Sequence, residues 1–224
     1  MRFAIHISTG DGRRRAMSWK GRKAMVDELA TVLVKVRAMQ VGTFTLSSGK
    51  LSSYYIDLRT VPSFPGAYRY VVDCYVSLIR NEVGLDKFDA IAGIPTAGLA
   101  FSSPVALELK KPMIYARSEE KDYGHRKRIE GTIKPGWTVL VMDDLVTTGH
   151  SLLSGIDAIR EEGGEVKQVA VLIDRMEGAK ANLRRAGVTL RSLTNVTELA
   201  RTLHEKDEIS DEEMQAIKGQ VAGR

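Results

Sequence analysis

The stretch VLVMDDLVTTGHS, residues 139–151, decides how this sequence folds. Its first four residues are apolar enough for a central strand, which puts Asp143 and Asp144 at the strand's carboxyl end, and alternation sends them to opposite sides. A small polar turn follows and leads into a helix expected to begin near Ser151. Backbone N–H groups at such a helix start, with the hydroxyls of Thr147, Thr148 and Ser151, make a cradle for a phosphate, and Gly149 lets the chain approach it closely. No GxxxxGK[ST] pattern occurs and the turn has no lysine, so this is not a nucleoside-triphosphate loop. Two carboxylates beside a phosphate suit a ligand that also presents hydroxyls, and a sugar phosphate fits that description. Taken as an isolated pair, the aspartates read better as ordinary capping or turn residues.

Outward from this stretch, short apolar runs alternate with amphipathic ones. FDAIAGIP precedes AGLAFSSPVALELK, PMIYAR precedes a polar stretch over residues 118–131, and WTVLVMDD precedes GHSLLSGIDAIREEGG. VKQVAVLIDR then precedes EGAKANLRRAG, and VTLRSLTN precedes VTELARTLHEK. Strands interleaved with helices in this way predict an α/β domain around a mostly parallel central sheet flanked by helices, with right-handed connections and ligands held beyond the strands' carboxyl ends. Residues 118–131 lack apolar periodicity and are expected to form a long loop. Earlier in the chain, residues 25–41 show helical spacing, FTLSSGKLSSYYIDLR over residues 44–59 suggests a hairpin, and a further helix is expected to begin near Pro65.

The 224 residues are 43% hydrophobic and 27% charged, as in a folded soluble domain. No apolar run approaches a membrane span, and the apolar patch at the start precedes its basic cluster, the reverse of a secretory signal, so a cytoplasmic location is expected. Cys74 is the single cysteine, which excludes an intrachain disulfide and a cysteine metal cluster. The net charge of +5 raises the question of nucleic acid, but residues 1–24 hold seven Lys or Arg against one Asp, leaving the rest of the chain near neutral. No helix-turn-helix pattern stands out either, so a nucleic-acid partner is not expected. The expected organisation is a basic extension over 1–24, a main domain over 25–204 with a small amino-terminal hood near 42–60, and a helical tail over 205–224.

The whole of residues 139–151 resembles the phosphoribosyl diphosphate signature of the type I phosphoribosyltransferases. Three further segments are similar to orotate phosphoribosyltransferases: FTLSSGKLSSYY to their amino-terminal substrate segment, RSEEKDYGHRKRIEG to their catalytic loop, and LIDRMEG to their Asp-Arg-x-Glu segment. The resemblance implies transfer of a phosphoribosyl group to orotate, in de novo pyrimidine (UMP) biosynthesis, with Mg²⁺ and in a homodimer whose subunits share sites. It implies that phosphoribosyl diphosphate meets Arg117, Lys121, Tyr123, His125, Asp143, Asp144, Leu145, Val146, Thr147, Thr148, Gly149, His150 and Ser151. Catalysis falls to Lys121, Arg117, Asp143 and Asp144, and Mg²⁺ is held mainly by substrate and water near the two aspartates. Orotate is assigned to Thr147, Arg175, Ser48, Gly49, Lys50, Tyr54 and Tyr55. Arg175 offers a planar fork for the orotate carboxylate, although a salt bridge to Asp174 or Glu177 is its ordinary alternative, and packing in the core is that of each tyrosine.

The chain departs from the family pattern at Ser118 and Ala97, where relatives carry lysine, and at Tyr123, where they carry histidine; His125 is placed to substitute. Purine or uracil salvage, and a non-catalytic sensor of phosphoribosyl diphosphate, are the competing readings. Arg175 argues against the salvage bases, which lack a carboxylate for it to bind.

Overall fold

The computed structural model describes residues 19–45, 49, 51–117 and 128–223. A six-stranded sheet has the order β5-β4-β3-β6-β7-β8. Its strands are β3 (Ala90–Gly93), β4 (Met113–Ala116), β5 (Ile129–Glu130), β6 (Val139–Val146), β7 (Gln168–Asp174) and β8 (Thr189–Asn195). All neighbours pair in parallel except β5, which runs antiparallel along the β4 edge. Helices cover both faces, so β6 and β7 are near-continuous apolar runs: residues 139–142 and 169–173 are all buried.

The order of the strands dictates which face each helix takes. From β3 the chain steps one way, through α3 (Ala97–Leu109), to β4. From β6 it steps the other way, through α4 (His150–Glu161), to β7 and on through α5 (Ala179–Arg185) to β8. Right-handed crossovers in opposite directions must lie on opposite faces. Accordingly Phe101 and Val105 of α3 join one buried cluster with Leu140 and Met142, whereas Leu152 and Ile156 of α4 and Leu183 of α5 join another with Val139 and Val141. The α3 face also receives α1 (Arg22–Lys35), α2 (Pro65–Leu78), α6 (Val196–His204) and α7 (Asp211–Ala222). In α4, Leu152, Ile156 and Ile159 are buried at helical spacing; in α6, Val196, Leu199, Ala200 and Leu203 repeat the pattern behind an Asn195 cap. The direction of travel reverses between β3 and β6, and a crevice opens beyond their carboxyl ends.

The hood is a separate antiparallel pair, β1 (Met39–Thr45) and β2 (Leu51–Ile56). Pro65 stands at the first position of α2, as its missing N–H allows. Three expected boundaries move. The first helix starts at Arg22, inside the stretch read as an extension, because Arg22 forms an ion pair with Glu198 at 2.8 Å and donates to the Leu193 carbonyl. It stops at Lys35, since Met39 begins the hood strand paired with Ile56, a tertiary contact that helical periodicity does not register. The polar stretch over 118–131 ends in β5, where Tyr115 pairs with Glu130 and Ala116 with Ile129.

Candidate functional site

β6 runs two residues further than expected, to Val146, because Leu145 and Val146 continue the ladder opposite Ile173 and Asp174. The turn therefore shrinks to Thr147–Gly149, and α4 begins at His150. Gly149 adopts φ 82°, the left-handed region, as the residue before the helix. The Thr147 carbonyl accepts from the Ala179 N–H at 3.2 Å, and the Thr148 carbonyl from Asn182 Nδ2 at 2.8 Å. In a trans peptide the N–H points opposite the carbonyl, so the N–H groups of Thr148 and Gly149 turn away from α5. A small pocket is lined by Asp143 and residues 145–152. It adjoins a larger one lined by Ile94, Pro95, Ala116, Arg117, His150, Ser151, Ser154 and Gly155, and His150 and Ser151 border both. Two anion-sized hollows thus sit side by side at the crevice. An alanine at Gly149 would be strained by about 1–2 kcal/mol. The expected result is a lower melting temperature and a markedly higher KM for the phosphorylated sugar, read by calorimetry and steady-state kinetics.

Asp143 and Asp144 take different surroundings, as alternation requires. Only Asp143 borders the pocket, and its Oδ1 accepts the Asp144 N–H at 2.9 Å; Asp144 Oδ1 accepts the Leu145 N–H at 2.8 Å. Burial pushes the Asp143 carboxyl well above the usual carboxylate range, and the charge of Asp144 pushes the same way. Burial also raises Asp144. Two adjacent buried carboxylates favour hydroxyl donors or a cation beside them. The strand end is held by Tyr75, whose hydroxyl donates to the Asp143 carbonyl at 2.7 Å. Gly98 is needed on the other side, since a Cβ there would lie 2.8 Å from Asp143 Oδ1 and 2.9 Å from the Met142 carbonyl.

Arg175 stands at the end of β7, and its N–H donates to the Val146 carbonyl at 2.9 Å, tying it to the phosphate turn. Its guanidinium lies 5.1 Å from the Tyr54 ring centroid and 2.9 Å from Glu177 Oε1, with the two charged side chains only 12% and 18% exposed. The ion pair weighed against a ligand role for Arg175 is therefore present, with Glu177 and not Asp174. Its Nε donates to the Tyr54 hydroxyl at 3.4 Å, and Nη2 faces Glu177 as an ion pair, so the guanidinium is held between the hood strand and the segment after β7. Tyr54 and Tyr55 face opposite sides of β2. Tyr54 is fully buried beside Arg175, while Tyr55 is exposed and tilted against Phe44 at 5.8 Å, so within one chain only Tyr54 joins this group.

At the edge of the second hollow, Arg117 pairs with Glu130 at 2.9 Å and its N–H donates to the Arg128 carbonyl. Arg128 in turn donates to Ser154 Oγ at 2.7 Å. Arg117 and Arg128 are thereby tied to each other and, through Ser154, to α4. Lys121, Tyr123, His125, Ser48 and Lys50 lie outside the described residues; Gly49 lies within them, with φ 78°. Glu130 and Tyr75 carry no local sequence signal, because each acts through a partner distant along the chain.

The phosphoribosyl transferase domain family matches residues 72–207. The chain is 39% identical to the orotate phosphoribosyltransferase of Cenarchaeum symbiosum over 88% of its own length and 98% of that protein's. Among solved structures it superposes on Leishmania donovani UMP synthase with a TM-score of 0.79 and 34% identity, covering 91% of this chain and 43% of that one. It superposes on the orotate phosphoribosyltransferase of Aeropyrum pernix with a TM-score of 0.68 and 35% identity, covering 79% and 99%.

Proposed function

The chain belongs to the phosphoribosyl transferase domain family as an orotate phosphoribosyltransferase, and from that premise we propose how its residues divide the work. The reaction joins N1 of orotate to C1 of the ribose of phosphoribosyl diphosphate. The C1–O bond breaks with its electron pair leaving on diphosphate, and the N1 proton departs.

The N–H groups of Thr148 and Gly149, with the hydroxyls of Thr147, Thr148 and Ser151, receive the 5-phosphate, with Leu145, Val146 and His150 shaping the turn. Asp143, from the pocket wall, accepts from the ribose hydroxyls, with Asp144 behind it. Arg117 and Lys121 supply positive charge where diphosphate departs, backed by Tyr123 and His125. Arg175 takes the orotate carboxylate, Tyr54 lies beside the base, and Thr147 reaches it from the phosphate turn. Ser48, Gly49 and Lys50 are assigned to orotate with them.

Family members generally use Mg²⁺ with phosphoribosyl diphosphate. Among the described residues no cluster of three potential ligands exists, so the donor set fits an ion held by substrate oxygens and water beside Asp143 and Asp144, and not a protein cage. Bound there, the ion neutralises the leaving diphosphate. Among the described residues no helix is long and apolar enough to cross a membrane. A homodimer with shared sites completes the reading, and the mass of the chain in solution tests it.

One observation carries the choice of base: a half-buried arginine tied by its own N–H to the strand end beside the phosphate turn. A salvage base would leave that fork without a carboxylate. Incubating the protein with Mg²⁺, phosphoribosyl diphosphate and a panel of bases should consume orotate, followed by its absorbance. Turnover of uracil or a purine with orotate untouched would sink the assignment.

A further inference from the structure

The carboxyl-terminal helix α7 reaches the acceptor side of the site. Its start is fixed by a capping box in which Ser210 and Glu213 exchange hydrogen bonds. Met214 and Ile217 are buried in the cluster on the α3 face, and helical spacing then brings Gln220 around to the hood. There its side-chain amide lies along the outer edge of β2. Gln220 Oε1 accepts from the Ser53 N–H at 2.7 Å and from Ser53 Oγ at 2.9 Å, and Gln220 Nε2 donates to Ser52 Oγ at 3.0 Å. The buried Ser52 hydroxyl donates onward to the Tyr54 carbonyl at 2.7 Å. Tyr54 is the residue whose ring and hydroxyl meet Arg175.

An edge strand of a two-stranded sheet has little to fix it on its open side. Here a single glutamine caps the backbone of the residue before Tyr54 and orients the hydroxyl that holds the Tyr54 carbonyl. We propose that Gln220 is a positioning residue for the orotate pocket, which makes α7 part of the acceptor site. The proposal rests on the assignment of Tyr54 and Arg175 to orotate. Gln220 touches neither substrate. It sets where Tyr54 stands, and Tyr54 with Glu177 sets the plane of the arginine fork.

The test uses the full chain, Gln220→Ala and Gln220→Glu, with KM for each substrate, kcat, and amide exchange over residues 51–56. Loss of Gln220's hydrogen bonds at this part-buried strand edge in the alanine variant should raise KM for orotate by roughly tenfold. Its KM for phosphoribosyl diphosphate and its kcat should stay close to the parent's, and exchange over residues 51–56 should quicken. Gln220→Glu keeps the acceptor for Ser53 and should recover most of the orotate KM. Parent turnover of orotate with an unmoved KM in Gln220→Ala would overturn the positioning role alone, as would equal losses for both substrates. No turnover of orotate by the parent would instead overturn the reading beneath it.

Discussion

Replacing Arg175 by leucine is expected to lower kcat/KM for orotate by on the order of a hundredfold to a thousandfold while leaving affinity for phosphoribosyl diphosphate nearly unchanged. Truncating one partner of a buried, hydrogen-bonded charge pair costs about 2–5 kcal/mol, much of it the penalty of stranding the other charge. Arg175 serves two carboxylates, that of orotate in the proposed pocket and that of Glu177, which lies 2.9 Å away at 18% exposure. Arg175→Lys should recover only part of the loss, because an ammonium cannot offer two parallel hydrogens and also stack on Tyr54. Steady-state kinetics with each substrate varied in turn decides the matter, alongside a melting curve to register any general loss of stability. Equal losses for both substrates would remove Arg175 from the base pocket.

What could be read from the sequence was local. β6 and α4 are legible because a buried strand is a continuous apolar run and an amphipathic helix repeats its apolar positions, and each carries its signal within a dozen residues. The phosphate turn is legible for the same reason. Its glycine, hydroxyls and aspartates are neighbours along the chain, and they remain neighbours in space. Arg175 could be placed from its position at the end of a strand, but not its ties to Tyr54 and Glu177, since one of them crosses 121 residues of chain. Gly98 spaces α3 from Asp143, and Gln220 caps a strand edge 167 residues away. Neither has a local pattern to announce it. The same blindness explains the misplaced end of α1: residues 39–41 are helical in spacing, but pairing of Met39 with Ile56 and Val41 with Tyr54 outweighs a weak helical preference.

Asp143→Asn should make the empty protein more stable and the enzyme far less active. Burial first, and the charge of Asp144 second, hold the Asp143 carboxyl above its ordinary value, so the folded chain binds this proton more tightly than the unfolded chain does. The stability this contributes is fully present below the ordinary carboxylate pKa and is lost as pH rises through the folded value. At neutral pH the folded chain has therefore given up stability that asparagine, which does not titrate, retains. Asparagine keeps an oxygen to accept the Asp144 N–H. A gain of about 1 kcal/mol, or about 2–4 °C in Tm for a chain of this size, is expected near pH 7. The difference between variant and parent should shrink to nothing as the pH falls below the carboxylate range. Activity should move the other way, by on the order of a hundredfold in kcat/KM, because a charged acceptor for the ribose hydroxyls is gone. Phosphoribosyl diphosphate with Mg²⁺ should raise the Tm of the parent much more than that of the variant, since ligand stabilisation follows affinity. Calorimetry across pH, with and without this substrate, reads both effects on one sample. A variant less stable than the parent at neutral pH would show that the Asp143 charge is satisfied in the empty protein, and the crevice would then not be poised for a hydroxyl or a cation.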